Sequence, residues 1–250
     1  MPRFFITPEQ IRENRITLSG PDALHAARVL RMRTGDPVVF SDGRAYEYHA
    51  RITDIKDDRM AAEILSRVEN RTEPEIRIVL CQALPKGDKM DFIIQKAVEL
   101  GVHAVLPVIT CRTIPDIKDK GLKKAERWAR ISAEAAKQCG RGILPIVEVP
   151  VAFCGLLYRF GEAFSRGARG IMPWEMETGV KLSDTLKKLD AEKVRSLWVF
   201  IGPEGGIAPG EAEDAKAAGF LPVTMGRRIL RTETAAIAAL SSILCLYGEF

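Results

Sequence analysis

Apolar and polar positions alternate in short runs over the first seventy residues, and the rhythm then changes. Phe4–Ile6, Pro37–Phe40, Ala45–Ile55 and Ala61–Val68 have β-type composition, and turn signals such as Ser41-Asp42-Gly43 and Asp57-Asp58 separate them. One short helix fits between Pro21 and Leu30. This pattern predicts a small β-barrel-like domain over residues 1–72, followed by the polar, proline-ended linker Glu69-Asn70-Arg71-Thr72-Glu73-Pro74. From Glu75 onward, strands and helices alternate. Strands are predicted at Ile76–Leu80, Ala104–Ile109, Ile146–Val149, Gly170–Met172, Leu197–Ile201 and Leu221–Met225. Helices are predicted from Asp88 to Leu100, Lys120 to Cys139, Glu211 to Ala218 and Thr232 to Tyr247, with Gly101 and Gly140 as stops. Such alternation implies an α/β domain over residues 73–250, with a mainly parallel sheet covered by helices on both faces.

Two strand ends in this second part carry unusual loops. The apolar run Leu197-Trp198-Val199-Phe200-Ile201 leads straight into Gly202-Pro203-Glu204-Gly205-Gly206. Three glycines permit positive φ and close approach of a ligand, while Pro203 fixes its own φ and removes a donor. Such a loop suits wrapping a flat ring such as adenine with backbone groups; alone, it would also suit a tight strand–helix turn. About twenty residues on, Thr224-Met225-Gly226 leads into Arg227-Arg228-Ile229-Leu230-Arg231-Thr232-Glu233-Thr234-Ala235. Three arginines precede a helix N-terminus, whose free N–H groups already favour anions. Thr232 is a candidate cap there, and Arg231 is either a site residue or a surface partner of Glu233. A third strand ends at Met172-Pro173-Trp174, where the tryptophan either stacks on a ligand or packs in the core. Ligands of open α/β sheets bind outside the carboxyl ends of the strands, so these loops are expected to build one site.

Composition narrows the chemistry. The chain has 250 residues, 46% hydrophobic and 28% charged, enough for a substantial core. A net charge of +4 permits a polyanionic partner without demanding one. Local clusters say more: Arg28, Arg31 and Arg33 form one, with Arg28 and Arg31 at helical i, i+3 spacing suited to phosphates. Lys118–Arg130 reads as a solvated basic helix face. Lys86 and Lys89 flank the loop after the first α/β strand, and Arg141 follows the long helix. Five scattered cysteines without a Cys-x-x-Cys pair indicate reduced thiols and no zinc site, and three distant histidines offer no metal spacing. No signal peptide or membrane-spanning run is seen, which makes a cytoplasmic protein the expectation. No P-loop, dinucleotide-binding glycine turn or nucleophile elbow is present either.

Taken together, His25 with Arg28-Val29-Leu30-Arg31, Lys86-Gly87-Asp88-Lys89-Met90, Gln95–Gly101, Glu134–Arg141, Ile201–Gly206 and Leu230–Thr234 run over nearly the whole chain. They resemble the RsmE family of small-subunit ribosomal RNA methyltransferases, members of the SPOUT superfamily with a deep trefoil knot. The resemblance implies an N-terminal PUA-like β-barrel that helps hold RNA and a C-terminal SPOUT-type α/β knot. It implies homodimer formation and S-adenosylmethionine as cofactor. It implies methylation of a uridine base in 16S ribosomal RNA at ring nitrogen 3. The implied cofactor pocket is Met172, Pro173, Trp174, Ile201, Gly202, Pro203, Glu204, Gly205, Gly206, Met225, Gly226, Ile229, Leu230, Arg231, Thr232 and Thr234. Met172-Pro173-Trp174 departs from many relatives. Methyl transfer from a sulfonium needs no metal. It needs an in-line nucleophile and a cation that stabilises the deprotonated base. Arg231 is the candidate for that cation, and Glu233 or Glu204 for the proton acceptor. Arg28, Arg31, Arg33, Lys86, Lys89 and Arg141 are the candidate RNA contacts. Two alternatives stand beside this reading: a ribose 2′-O-methyltransferase of the same superfamily, against which the missing early Asn-x-Gly-x-x-Arg signature counts, and a non-catalytic RNA-binding assembly factor.

Overall fold

The computed structural model describes residues 1–56, 58–113 and 121–250 and divides the chain into two compact units. Met1–Glu73 and Ala136–Leu144 form one, Pro74–Ala135 and Pro145–Phe250 the other. Asp57 of the expected turn lies outside the described residues, as do the first residues of the expected long helix and of the basic stretch Lys118–Arg130.

Among the described residues the first unit has six strands: β1 (Arg3–Phe5), β2 (Ile11–Arg12), β3 (Arg15–Ser19), β4 (Pro37–Ser41), β5 (Tyr46–Lys56) and β6 (Arg59–Glu69). They form one sheet in the order β1-β4-β5-β6-β3-β2, antiparallel except for β1 beside β4. Period-two alternation puts Ile16, Leu18, Val38, Phe40, Ala50, Ile52, Met60 and Ala62 on one side, around which the sheet curls. Register shifts after His49 and Ile52 supply the bends in β5. This is the barrel-like domain that the alternation predicts, with β2 and β3 as strands the sequence did not reveal.

The expected helix between Pro21 and Leu30 is less regular than its sequence suggests. A single turn, α1 (Pro21–Leu24), widens into a π-helical turn over His25–Val29, with the Leu30 N–H bonded to the His25 carbonyl at 3.0 Å. Arg31 then adopts φ +54. The helical face proposed for Arg28 and Arg31 therefore does not form, although both side chains are exposed. The segment Ala136–Leu144 completes this unit. Glu73 accepts from the Arg141 guanidinium at 2.6–3.0 Å and from the N–H groups of Gly142 and Ile143, while Ser41 donates to the Gly142 carbonyl.

From Arg77 onward the order along the chain is β7 (Arg77–Ala83), α2 (Lys89–Glu99), β8 (Ala104–Ile109), α3 (Gly121–Cys139, whose last residues belong to the first unit), β9 (Ile146–Val147), β10 (Val151–Ala152) and α4 (Phe153–Ser165). There follow β11 (Arg169–Pro173), α5 (Leu182–Ala191), β12 (Ser196–Ile201), α6 (Pro209–Ala217), β13 (Phe220–Val223) and α7 (Thr232–Leu246). All strand pairs are parallel, in the order β10-β8-β7-β12-β11-β13 with β9 beside β8. A parallel sheet buried on both faces needs nearly continuous apolar strands, as β7 and β12 are. One face packs Val79, Cys81, Phe200 and Phe220 against Leu156 and Phe160 of α4 and Ala212 and Ala215 of α6. On the central strands α7 packs with α2 and α5.

The end of the chain takes an unusual course. From the edge strand β13 it returns inward, and α7 begins beside the middle of the sheet. There the Thr232 hydroxyl donates to the Gly202 carbonyl at 2.7 Å and accepts from Gln82 Nε2 at 2.9 Å. Thr232 is consequently not the cap; Arg231 occupies that position.

Candidate functional site

The carboxyl ends of β12, β11 and β13 lie side by side and open on a cavity of about 530 Å³. That size accommodates a ligand of nucleoside dimensions. Three loops wall it.

The first wall is Ile201 to Ile207. The Gly206 N–H bonds to the Pro203 carbonyl at 2.9 Å, and Gly206 has φ +72, which closes a tight turn. A Cβ on Gly202 would lie 2.8 Å from the Ile207 side chain, so glycine is what lets that apolar group close over the loop. Arg112 donates to the Gly205 carbonyl at 2.7 Å from outside. The second wall runs from Thr224 to Thr232. Thr224 Oγ1 accepts the Gly226 N–H at 3.2 Å, and Gly226 turns the chain at φ +107. Arg227, Arg228 and Arg231 are exposed. Among the described residues the Arg231 side chain makes no hydrogen bond or ion pair, so its guanidinium is available to a ligand. The third wall begins with Pro173 and Trp174. Trp174 does both things the sequence left open: it packs on the core and lines the cavity, with Nε1 donating to the Ile207 carbonyl at 3.4 Å. Glu175, Glu177 and Thr178 continue this wall. The Val180 and Gly179 N–H groups hold the Glu177 carboxyl below its usual range.

An ion-pair node joins the first wall to the start of α7. Glu204 Oε1 accepts from Lys89 Nζ at 2.8 Å, and both its oxygens lie within 3.2 Å of the Lys86 N–H. Burial pushes the Glu204 carboxyl up, but Lys89 and the backbone donors outweigh it, and the group lies below its usual value. Glu233 Oε2 sits 3.5 Å from the same ammonium, buried and without a hydrogen bond of its own.

The structure brings Pro173, Trp174, Ile201–Gly206, Met225, Gly226 and Ile229–Thr232, all named as pocket candidates, onto one cavity. Three residues of that reading lie off its wall. Met172 is fully buried, and Thr234 is exposed in the first turn of α7. Glu233 faces Lys89 rather than the cavity. Among the candidate RNA contacts, Arg28, Arg31, Arg33 and Lys86 are exposed. Lys89 is committed to two carboxylates. Arg141 is corrected: it is 3% exposed and its guanidinium is held by Glu73, so it is a structural residue of the first unit.

Sequence reasoning missed Gln82, Glu175, Glu177, Thr178 and Arg112. Gln82 had a signal: a polar residue inside the apolar run Ile78–Ala83 must find partners if that strand is buried. It is fully buried, and its amide spans the Ala83 carbonyl and Thr232. The other four sit in loops whose approach to the cavity depends on tertiary structure. Among the described residues no cluster of acidic, histidine and cysteine side chains could hold a metal.

Family models agree with this geometry. Residues 72–244 match the RNA methyltransferase domain and residues 18–65 the RNA methyltransferase PUA domain. Ribosomal RNA small subunit methyltransferase E of Bacillus subtilis is 32% identical over 250 residues, covering 97% of this chain and 96% of the relative. The chain belongs to the ribosomal RNA small subunit methyltransferase E family. The Synechocystis member is 34% identical, over 98% of this chain and 77% of its own length. A crystal structure of the Neisseria gonorrhoeae member, bound to S-adenosylmethionine, superposes with a TM-score of 0.85 at 33% identity, covering 98% of both chains. The family's two-domain composition accounts for the curled N-terminal sheet and the parallel-sheet domain alike.

Proposed function

We propose that this protein transfers the methyl group of S-adenosylmethionine to ring nitrogen 3 of a uridine in small-subunit ribosomal RNA. The observation that carries the reading is the cavity at the ends of β11, β12 and β13, built from the two unusual loops in a chain of this family. The residues present fit the cofactor. The glycine-containing loops Ile201–Gly206 and Met225–Leu230 line the cavity, and Ile201, Pro203, Ile207 and Leu230 are its apolar residues. That combination suits an adenine ring, while Glu175, Glu177 and Glu204 offer negative charge to a cationic ligand. When bound, S-adenosylmethionine supplies an electrophilic methyl group on a sulfonium.

The protein's own part is to position the base and to manage its proton. A uracil ring carries an imide N–H between two carbonyls and becomes a nucleophile at nitrogen 3 when that proton leaves. We assign to Arg231 the stabilisation of the resulting negative charge, since the residue lines the cavity and its guanidinium is unengaged among the described residues. Of the two carboxylates foreseen as proton acceptors, Glu204 lines the cavity and is held ionised. We assign it the acceptor role in place of Glu233. Pro173, Trp174 and Ile207 give the cavity an apolar stretch of wall, with Trp174 and Ile207 packed on the core beneath. Arg28, Arg31, Arg33 and Lys86 are assigned to RNA phosphates. Homodimer formation through the alanine-rich α7, and action in the cytoplasm, belong to the same proposal. No helix among the described residues is long and apolar enough to cross a membrane.

Calorimetric titration with S-adenosylmethionine tests the pocket. Saturable one-to-one binding that is lost when Gly206 or Trp174 is replaced by a bulky charged residue is expected. Absence of binding by the unaltered chain would overturn the reading.

A further inference from the structure

The residue whose geometry outruns its expected role is Lys89. Its position after the first strand of the parallel sheet suggested a phosphate contact, yet its ammonium is already engaged. It lies 2.8 Å from Glu204 Oε1 and 3.5 Å from Glu233 Oε2. These carboxylates come from the two motifs that frame the cavity, Glu204 from the loop after β12 and Glu233 from the first turn of α7. Lys89 itself is the first residue of α2, a helix whose Met90, Ile93, Ile94, Ala97 and Val98 are buried and which packs along α7. Its backbone is therefore anchored, and the Lys86 N–H at the head of the same helix adds a second hold on Glu204.

We propose that Lys89 is a positioning residue: a single ammonium clasps the Glu204 loop to the first turn of α7 and so sets the mouth of the cavity. The inference rests on the cofactor reading given above. The ion pairs are partly exposed, with a third of the lysine side chain open to solvent, so pairs of this kind contribute little to global stability. What the clasp controls is the position of one loop. Residues 202–206 include three glycines, and Pro203 alone among them is buried; among the described residues Arg112 and Lys89 are the side-chain cations bonded to them. Glu233, off the cavity wall, acts as the far anchor rather than as a base. Its buried oxygen has no hydrogen-bond donor and relies on the charge of Lys89.

A positioning role separates loop order from stability, and the test uses that separation. The full-length chain and its Lys89→Met and Lys89→Arg variants are compared by thermal unfolding, by calorimetric titration with S-adenosylmethionine, and by hydrogen exchange at Glu204–Gly206 without ligand. Lys89→Met is expected to unfold within a few degrees of the parent. Its cofactor affinity is expected to fall tenfold or more, and exchange at Glu204–Gly206 to rise tenfold. Lys89→Arg should recover most of both. In a Glu204→Gln background the Lys89→Met change should add little, because its partner is already gone. Unchanged affinity and exchange in Lys89→Met would overturn the proposal, as would equal losses in Met and Arg variants. If the parent chain itself binds no cofactor, the functional reading fails, and exchange at Glu204–Gly206 still decides for or against the clasp.

Discussion

At the scale of single residues, charge placement separates working groups from structural ones. Arg231 and Arg141 are both arginines beside a helix end, yet one lines a cavity unengaged and the other is buried against Glu73. Replacing Arg231 by Ala should leave the unfolding temperature unchanged. Single-turnover methyl transfer at saturating cofactor and RNA should fall by about 10²–10³-fold. Replacing Glu73 by Ala should do the reverse. It strands a buried guanidinium and removes the acceptor for two backbone donors, a loss of about 3–5 kcal/mol in denaturant unfolding. The two candidate carboxylates are also separable: Glu204→Gln should reduce transfer by ~10²-fold or more, and Glu233→Gln by much less. Glu204 carries a pH signature as well. Its folded pKa lies below its unfolded value. Ionised Glu204 therefore adds stability above the usual carboxylate range, and that increment disappears as pH falls through the lowered folded value. The Gln variant should show a flatter acid limb below roughly pH 5 in a stability–pH series.

At the scale of elements, the strands that carry the site were legible because their two faces are both buried. Leu197–Ile201 is β12 to within one residue, and Thr232 begins α7 as expected. Elements whose sequence lacks a clean period were not legible. Helix α4 reads Phe-Cys-Gly-Leu-Leu-Tyr-Arg-Phe-Gly-Glu-Ala-Phe-Ser, with two glycines and several aromatic residues of modest helix propensity, and forms because Leu156 and Phe160 pack on the sheet. Pro150 splits the expected strand Ile146–Val149 and its continuation into the two-residue β9 and β10. The widened turn at His25–Val29 displaced the expected arginine face for a similar reason: helical spacing in sequence does not register a π turn. The cavity loops were recognisable by glycine and proline chemistry. The pairing of Gln82 with Thr232 was not, because it joins residues 150 positions apart. Gly170 in β11 offers a test of packing at this scale. A Cβ there would meet the Phe160 and Phe220 rings at 2.6 Å. Gly170→Ala should therefore cost about 1–3 kcal/mol in denaturant unfolding, with no change in far-UV circular dichroism.

At the scale of the whole molecule, the chain combines a curled β unit of the PUA type with a parallel-sheet unit that carries the cavity. Exposed arginines in the first unit, and exposed Lys86 and cavity-lining arginines in the second, give the RNA reading a measurable consequence. Affinity for a small-subunit RNA fragment should fall linearly in log–log form with salt, and the slope should shrink by about one for each phosphate-contacting cation removed, as in Arg28→Ala. A slope unchanged by that substitution would remove Arg28 from the contact set. We propose above all that this cavity delivers a methyl group to the base, not the sugar, of one uridine. Its most direct test is mass mapping of small-subunit ribosomal RNA from cells lacking the protein, incubated with the purified chain and S-adenosylmethionine bearing a deuterated methyl group. The account predicts label on ring nitrogen 3 of a single uridine, absent when Arg231→Ala replaces the parent protein. Label on a ribose hydroxyl, or no label with intact RNA and bound cofactor, would contradict it.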